Sequence, residues 1–128
     1  MKQILEESLY YRMGGEETLK ELVERFYAKV ANDPDLAPIF PDDFTLIKEK
    51  QFKFLSQFFG GPDLYSQEYG PPMLRARHLP FPITPTRAQA WLRRMHETLD
   101  ELDLSDEIKQ EMMARFIMTA HHMVNTPE

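Results

Sequence analysis

Pro72-Met73-Leu74-Arg75-Ala76-Arg77-His78-Leu79-Pro80-Phe81 sets one histidine among apolar residues and two arginines. Pro80 disfavours helical backbone at Leu79, so a helix begun near Pro72 breaks at His78. The wider segment, Gly61 to Thr84, holds five prolines in 24 residues and cannot form a long helix. One short helix, about Pro72 to His78, is expected within it. A long irregular connection inside a compact helical domain is usually functional.

On both sides of this segment the apolar residues recur in steps of three and four, the signature of amphipathic helices. From Glu17 to Ala31 the stripe is Leu19, Leu22, Val23, Phe26, Tyr27 and Val30, with Gly14-Gly15 before it and Asn32-Asp33-Pro34 after it. From about Thr45 to Phe59 it is Ile47, Gln51, Phe54, Leu55 and Phe58; Asp42 or Asp43 suits its start, and Gly60-Gly61-Pro62 ends it. A third stripe, about Pro85 to Leu102, carries Ala88, Trp91, Leu92, Met95, Leu99 and Leu102 behind a Thr84-Pro85 start. The fourth, about Asp106 to Val124, carries Ile108, Met112, Met113, Phe116, Ile117, Ala120 and Val124, with Ser105 as N-cap and Asp106 and Glu107 at the positive end of the helix dipole. A short helix or turn over Ile4 to Arg12 is also expected. No stretch alternates as a strand does, so the fold class is all-α.

Composition bounds the chemistry. A chain of 128 residues is expected to form one domain, 1–128. With no cysteine, disulfides, zinc ribbons, iron–sulfur clusters and thiolate ligands are excluded. The formal charge of −6 repels phosphate backbones, so nucleic acid is not an expected partner. Apolar runs are too short for a membrane span, and Met1 to Glu7 lacks the apolar centre of a signal peptide; a cytoplasmic protein is expected. Aromatic residues at 12% and eight methionines are heavy for so small a core.

The polar residues say what the aromatic excess is for. His96, His121 and His122 read as structural or solvent-facing, since no HExxH pattern or paired carboxylate joins them. His78 differs: it sits at a fixed break, walled by Met73, Leu74, Leu79 and Phe81, with Arg75 and Arg77 beside it. A neutral imidazole, apolar walls and rim cations suit a large, flat, anionic cofactor such as haem. The alternative is a loop histidine with solvated arginines. Tyr27, Gln51 and Trp91 interrupt three different apolar stripes with hydrogen-bond donors. A buried amide without a partner costs roughly 1–3 kcal/mol. Each residue alone reads as an ordinary core or boundary residue; together they offer donors from three helices, which is what a diatomic ligand on iron would use.

These residues, with Gly14-Gly15, Phe26-Tyr27, Pro38-Ile39-Phe40-Pro41, Gln57-Phe58-Phe59-Gly60-Gly61-Pro62, Ala90-Trp91-Leu92 and Ala120-His121-His122-Met123-Val124-Asn125, form a recognisable set. Over about Tyr10 to Pro127 the chain resembles the group II truncated haemoglobins. The resemblance implies a globin-like 2-over-2 helical sandwich around haem b, with His78 as the axial iron ligand. It maps the distal donors onto Tyr27, Trp91 and Gln51, the haem-packing aromatic onto Phe40, the distal gate onto Ile47 and the propionate-binding arginine onto Arg77. Lys50, Phe54, Met73, Leu74 and Phe81 complete the expected cofactor set. Two departures stand out. Many relatives carry tyrosine where this chain has Phe40, so the polar network falls to Tyr27, Gln51 and Trp91. At the gate, Ile47 cannot make the hydrogen bond that histidine makes in ordinary globins.

What the resemblance implies for function is reversible O2 binding at ferrous iron with slow release. The expected ligands are O2 and also CO, NO, peroxide or sulfide, with an unidentified reductase as partner and a monomer or weak homodimer as the state. A haem redox enzyme, peroxidase-like or detoxifying nitric oxide and reactive oxygen, is the alternative. The absence of a distal histidine to shuttle protons weighs against it. A third reading, a haem-free helical interaction module, would make the aromatic stripes plain core.

Overall fold

Every regular element in residues 8–128, which the computed structural model describes, is helical; among them there is no strand. The elements are α1 (Leu9–Arg12), α2 (Gly15–Ala31), a 3-10 turn (Ala37–Ile39), α3 (Thr45–Phe58), α4 (Leu64–Tyr69), α5 (Leu74–His78), α6 (Pro85–Glu101) and α7 (Asp106–Met123). The four long helices agree with the four apolar stripes to within two residues. Of the helix expected over Ile4 to Arg12, positions 4–7 lie outside the described residues, and Leu9–Arg12 is helical.

Local chemistry sets the ends. Thr84 Oγ1 accepts the Arg87 N–H at 3.1 Å at the start of α6, and Ser105 Oγ accepts the Ile108 N–H at 3.2 Å at the start of α7. Asp43 accepts the Thr45 N–H at 2.9 Å ahead of α3. After α2 the chain turns on Asp33, which is buried. Its carboxylate accepts the backbone N–H groups of Asp35 (2.8 Å) and Leu36 (3.3 Å) and the Arg94 Nε–H (2.7 Å). One side chain thus closes the corner and ties it to α6.

Helices α2 and α3 pack on each other, α6 and α7 pack on each other, and α2 lies against α6. That is the two-over-two arrangement. The shared core holds Leu19, Leu22, Phe26 and Val30 of α2, Met95 and Leu99 of α6, and Met112 and Phe116 of α7. Each contributes roughly 1.5–3 kcal/mol by leaving water.

The irregular segment differs from expectation in one respect. It holds two short helices, α4 and α5, where one was expected. Pro62 and Pro71-Pro72 leave 63–70 free of proline, and Gln57 of α3 fastens the new helix. Gln57 accepts the Ser66 N–H at 2.9 Å and donates to its hydroxyl at 2.8 Å. Gly70, at φ 79°, ends it. The second short helix starts later than Pro72: Met73 is its N-cap, in left-handed backbone at φ 46°. Just past the same end of α3, Gly61 lets the Tyr10 ring lie against the backbone, since a Cβ there would stand 2.5 Å from the ring.

Helix α3 carries the stripe Ile47, Gln51, Phe54, Leu55 and Phe58 yet buries only Leu55 and Ser56 fully. Its stripe is not pressed into the core. It faces a void.

Candidate functional site

The void is a cavity of about 490 Å³ enclosed by α2, α3, α5, α6 and α7. That volume lies in the range of small-molecule and cofactor sites. Ile47, Gln51, Phe54 and Phe58 line it from α3, and Leu74, Arg77 and His78 from α5. From α2 comes Tyr27, from α6 Trp91, from just after the 3-10 turn Phe40, from α3 also Lys50, and from the loop after α5 Phe81. Of the residues expected to bind a cofactor, one does not line the cavity. Met73 is 63% exposed and its left-handed backbone sets it at the outer start of α5.

His78 ends the five-residue helix α5, so its position follows from the break that Pro80 enforces. Its Nδ1 lies 2.6 Å from the carbonyl oxygen of Leu74. A carbonyl only accepts, so Nδ1 donates, and in the neutral imidazole the lone pair then lies on Nε2. No described residue bonds Nε2. This is the arrangement of a metal-ligating imidazole, in which one nitrogen is fixed by a carbonyl and the other is left to the metal.

Three donors line the same cavity. The Tyr27 hydroxyl, the Gln51 amide and the Trp91 ring N–H have no hydrogen-bond partner among the described residues. Among the described residues, the one sealed-in side-chain polar atom lacking a partner is Ser8 Oγ, so these three open onto the cavity instead of ending in closed core. Aromatic packing fixes two of them. Tyr27 is 2% exposed and meets Phe40 at 6.0 Å and Phe44 at 5.6 Å between ring centroids. Trp91 is wedged between Phe26 (5.2 Å) and Phe116 (5.3 Å). Burial pushes the Tyr27 hydroxyl well above its ordinary pKa, so it stays protonated and acts as a donor.

Two of the expected cofactor residues are cations at the cavity edge. Lys50 lies over the Tyr69 ring at 5.1 Å. Arg77 donates to the carbonyls of Pro72 (2.8 Å) and Tyr69 (3.3 Å) and sits 5.5 Å over the Tyr65 ring. Neither has a carboxylate within ion-pair distance among the described residues; the same holds for Arg87, which also lines the cavity and donates to the carbonyls of Asp35 and Pro82. Apolar walls, a free imidazole nitrogen and two cations without counter-ions fit a flat macrocycle that bears carboxylates and an axial metal.

The remaining histidines stay outside. His96 pairs with Asp100 at 3.3 Å on the surface, and His121 and His122 are exposed. No group of three metal-binding side chains forms among the described residues. Sequence reasoning missed several lining residues, notably Tyr65, Thr119 and Met123. Continuing the steps of three and four from Phe116 reaches Thr119, Ala120 and Met123, so the signal was there. Tyr65 lies on α4, whose presence no local pattern announced.

Comparison with known proteins agrees with this geometry. Residues 8–125 match the family model described as bacterial-like globin. A group 2 truncated hemoglobin of Bacillus subtilis, YjbI, is 52% identical over 118 residues, covering 92% of this chain and 89% of the relative. The crystal structure of the group II truncated hemoglobin from Bacillus anthracis superposes with a TM-score of 0.93 at 50% identity, covering 94% of this chain and 93% of that one. A truncated oxygen-avid haemoglobin from Bacillus subtilis superposes at 0.89 with 52% identity, covering 92% and 99%. The chain belongs to the bacterial-like globins and, among them, to the group II truncated haemoglobins. Membership implies haem and oxygen binding. No helix of the described residues is long and apolar enough to cross a membrane.

Proposed function

We propose that the chain, as one domain over 1–128, holds haem b with His78 as axial ligand and binds O2 reversibly with slow release. Phe40, Ile47, Phe54, Leu74 and Phe81 form the apolar walls for the macrocycle, and Lys50 and Arg77 hold its carboxylates. The cofactor supplies a ferrous iron that takes small diatomic ligands. The residues of the chain do the rest. Leu74 O fixes the His78 ring. Tyr27, Trp91 and Gln51 donate to the partly negative guest, each contributing on the order of 1 kcal/mol or more in a dry site. Since ligand loss must break those bonds, the off-rate falls.

The observation that carries this is the trio of donors without partners in the cavity that His78 lines. It also favours binding over peroxide turnover. Tyr27 is held protonated by burial and Trp91 is donor-only, so neither accepts and returns a proton near neutral pH. The same cavity would admit CO, NO or sulfide, and a reductase would keep the iron ferrous. Absorption spectra of the purified protein in ferric, ferrous and CO-bound forms test haem and axial ligation together. The expected result is a Soret band with a histidine-ligated ferrous spectrum; protein that takes up no haem overturns the proposal. Stopped-flow O2 release then tests the distal donors.

A further inference from the structure

The C-terminal end of α7 is tied to the turn that follows His78. Asn125 lies two residues beyond the last residue of α7, Met123. Its side-chain N–H groups donate to the carbonyls of His78 (3.1 Å) and Phe81 (3.0 Å), and its Oδ1 accepts the Ile83 N–H (3.0 Å). The Thr126 hydroxyl donates to the same Oδ1 at 2.6 Å. The backbone N–H groups of Asn125 and Thr126 both reach the Ile83 carbonyl, at 3.0 and 3.2 Å. From the other side Arg75, on the helix of His78, donates to the carbonyls of His122 (2.6 Å) and Val124 (3.0 Å).

The chemistry at this point calls for an amide. Two carbonyls need donors, while an N–H and an O–H need an acceptor within the reach of one short side chain. Asparagine offers both; aspartate lacks the donors and alanine lacks everything. The partners also fix which way the amide points. The His78 carbonyl accepts the Phe81 N–H at 2.9 Å as well, so two donors hold the peptide leaving His78. Leu74 O holds the ring. Asn125 itself does not line the cavity, so whatever it does there it does through His78.

We infer that Asn125 is a positioning residue for His78, fixing the backbone from which the ring reaches the cofactor; this rests on His78 being the axial ligand. The test compares haem-loaded wild type with Asn125→Ala, Asn125→Asp and Thr126→Val. Resonance Raman of the ferrous protein reads the iron–histidine stretch, and transfer to an excess of a haem-acceptor protein reads haem loss. Changes in groups that orient a metal ligand typically cost 10–100-fold in affinity, so haem loss is expected roughly 10-fold faster in Asn125→Ala, with the stretch shifted or broadened. Asn125→Asp exceeds it, because a carboxylate then faces two carbonyls. Thr126→Val leaves the three Asn125 bonds to 78, 81 and 83 in place; it lowers thermal stability and leaves the stretch at the wild-type frequency. Wild-type stretch and haem loss in both Asn125 variants overturn the inference. If neither variant folds, amide exchange in the wild type decides: the Ile83 amide is expected to be as protected as the interior of α7, and fast exchange there overturns the clamp. A wild type with haem but no iron–histidine stretch overturns the assignment of His78 instead, and the inference with it.

Discussion

Asp33, Tyr27 and His78 are each placed by a different physical cause, and each leaves a different trace in solution. Burial alone would raise the Asp33 carboxyl, but the Arg94 hydrogen bond and the N–H groups of Asp35 and Leu36 outweigh it and hold it below the ordinary carboxylate value. A depressed folded-state pKa adds stability that is present above the unfolded value and lost as pH falls through the folded one. Asp33→Asn should therefore cost on the order of 2 kcal/mol at pH 7 and flatten the decline in stability below about pH 4, measured by urea midpoints across that range. For Tyr27 the raised pKa keeps the donor intact, so O2 release should show no tyrosine titration as pH passes 10. Tyr27→Phe or Trp91→Phe should raise the O2 off-rate by up to about tenfold, since 1.4 kcal/mol is a factor of ten; unchanged rates in both singles and the pair would exclude the distal network. His78→Ala should lose tight haem retention, and an unaltered Soret spectrum would refute its role as ligand. Much of this was legible beforehand, because a polar residue inside an apolar stripe is visible in one dimension. Met73 was not: its place on the outside follows from a left-handed backbone that spacing does not reveal.

At the scale of elements, the long helices could be read because each carries its own periodicity and caps. Helix α4 could not, because what holds it is a distant residue, Gln57, bonding Ser66 twice. Gln57→Ala should loosen α4 while leaving α2 and α6 unaffected; amide exchange along Leu64–Tyr69 is the measurement. The Gly61 contact with Tyr10 is likewise non-local. Gly61→Ala must push the ring away from the backbone and should cost about 1–3 kcal/mol, seen as a lower thermal midpoint. Helix α4 supplies Tyr65 to the cavity wall, so an element that could not be read from sequence helps to shape the site.

For the whole molecule, the cavity is the main difference from an ordinary helical core. Phe58 stacks on Phe116 of α7 and Phe54 meets Tyr65 of α4, yet both, like Ile47, stay half-buried because each also borders the cavity. A ligand that binds only the folded chain stabilises it by mass action, about 4 kcal/mol at a thousand times its dissociation constant. Haem removal should thus lower the melting temperature markedly, with the loss concentrated in α5 and the cavity face of α3. Calorimetry of the apo and holo forms checks this. Four long helices were readable from four stripes, but their 2-over-2 pairing came only with the family resemblance, since periodicity says which face is apolar and not what it meets.

Trp91 is the only tryptophan in the chain, and its ring lies in the cavity wall. All indole emission from this protein therefore comes from a point within contact range of whatever occupies the site. A bound chromophore absorbing in the near ultraviolet would quench that emission by energy transfer over a few ångströms. The protein thus carries its own optical gauge of loading: titrating the apo chain with hemin should extinguish its fluorescence in step with occupancy, without any label.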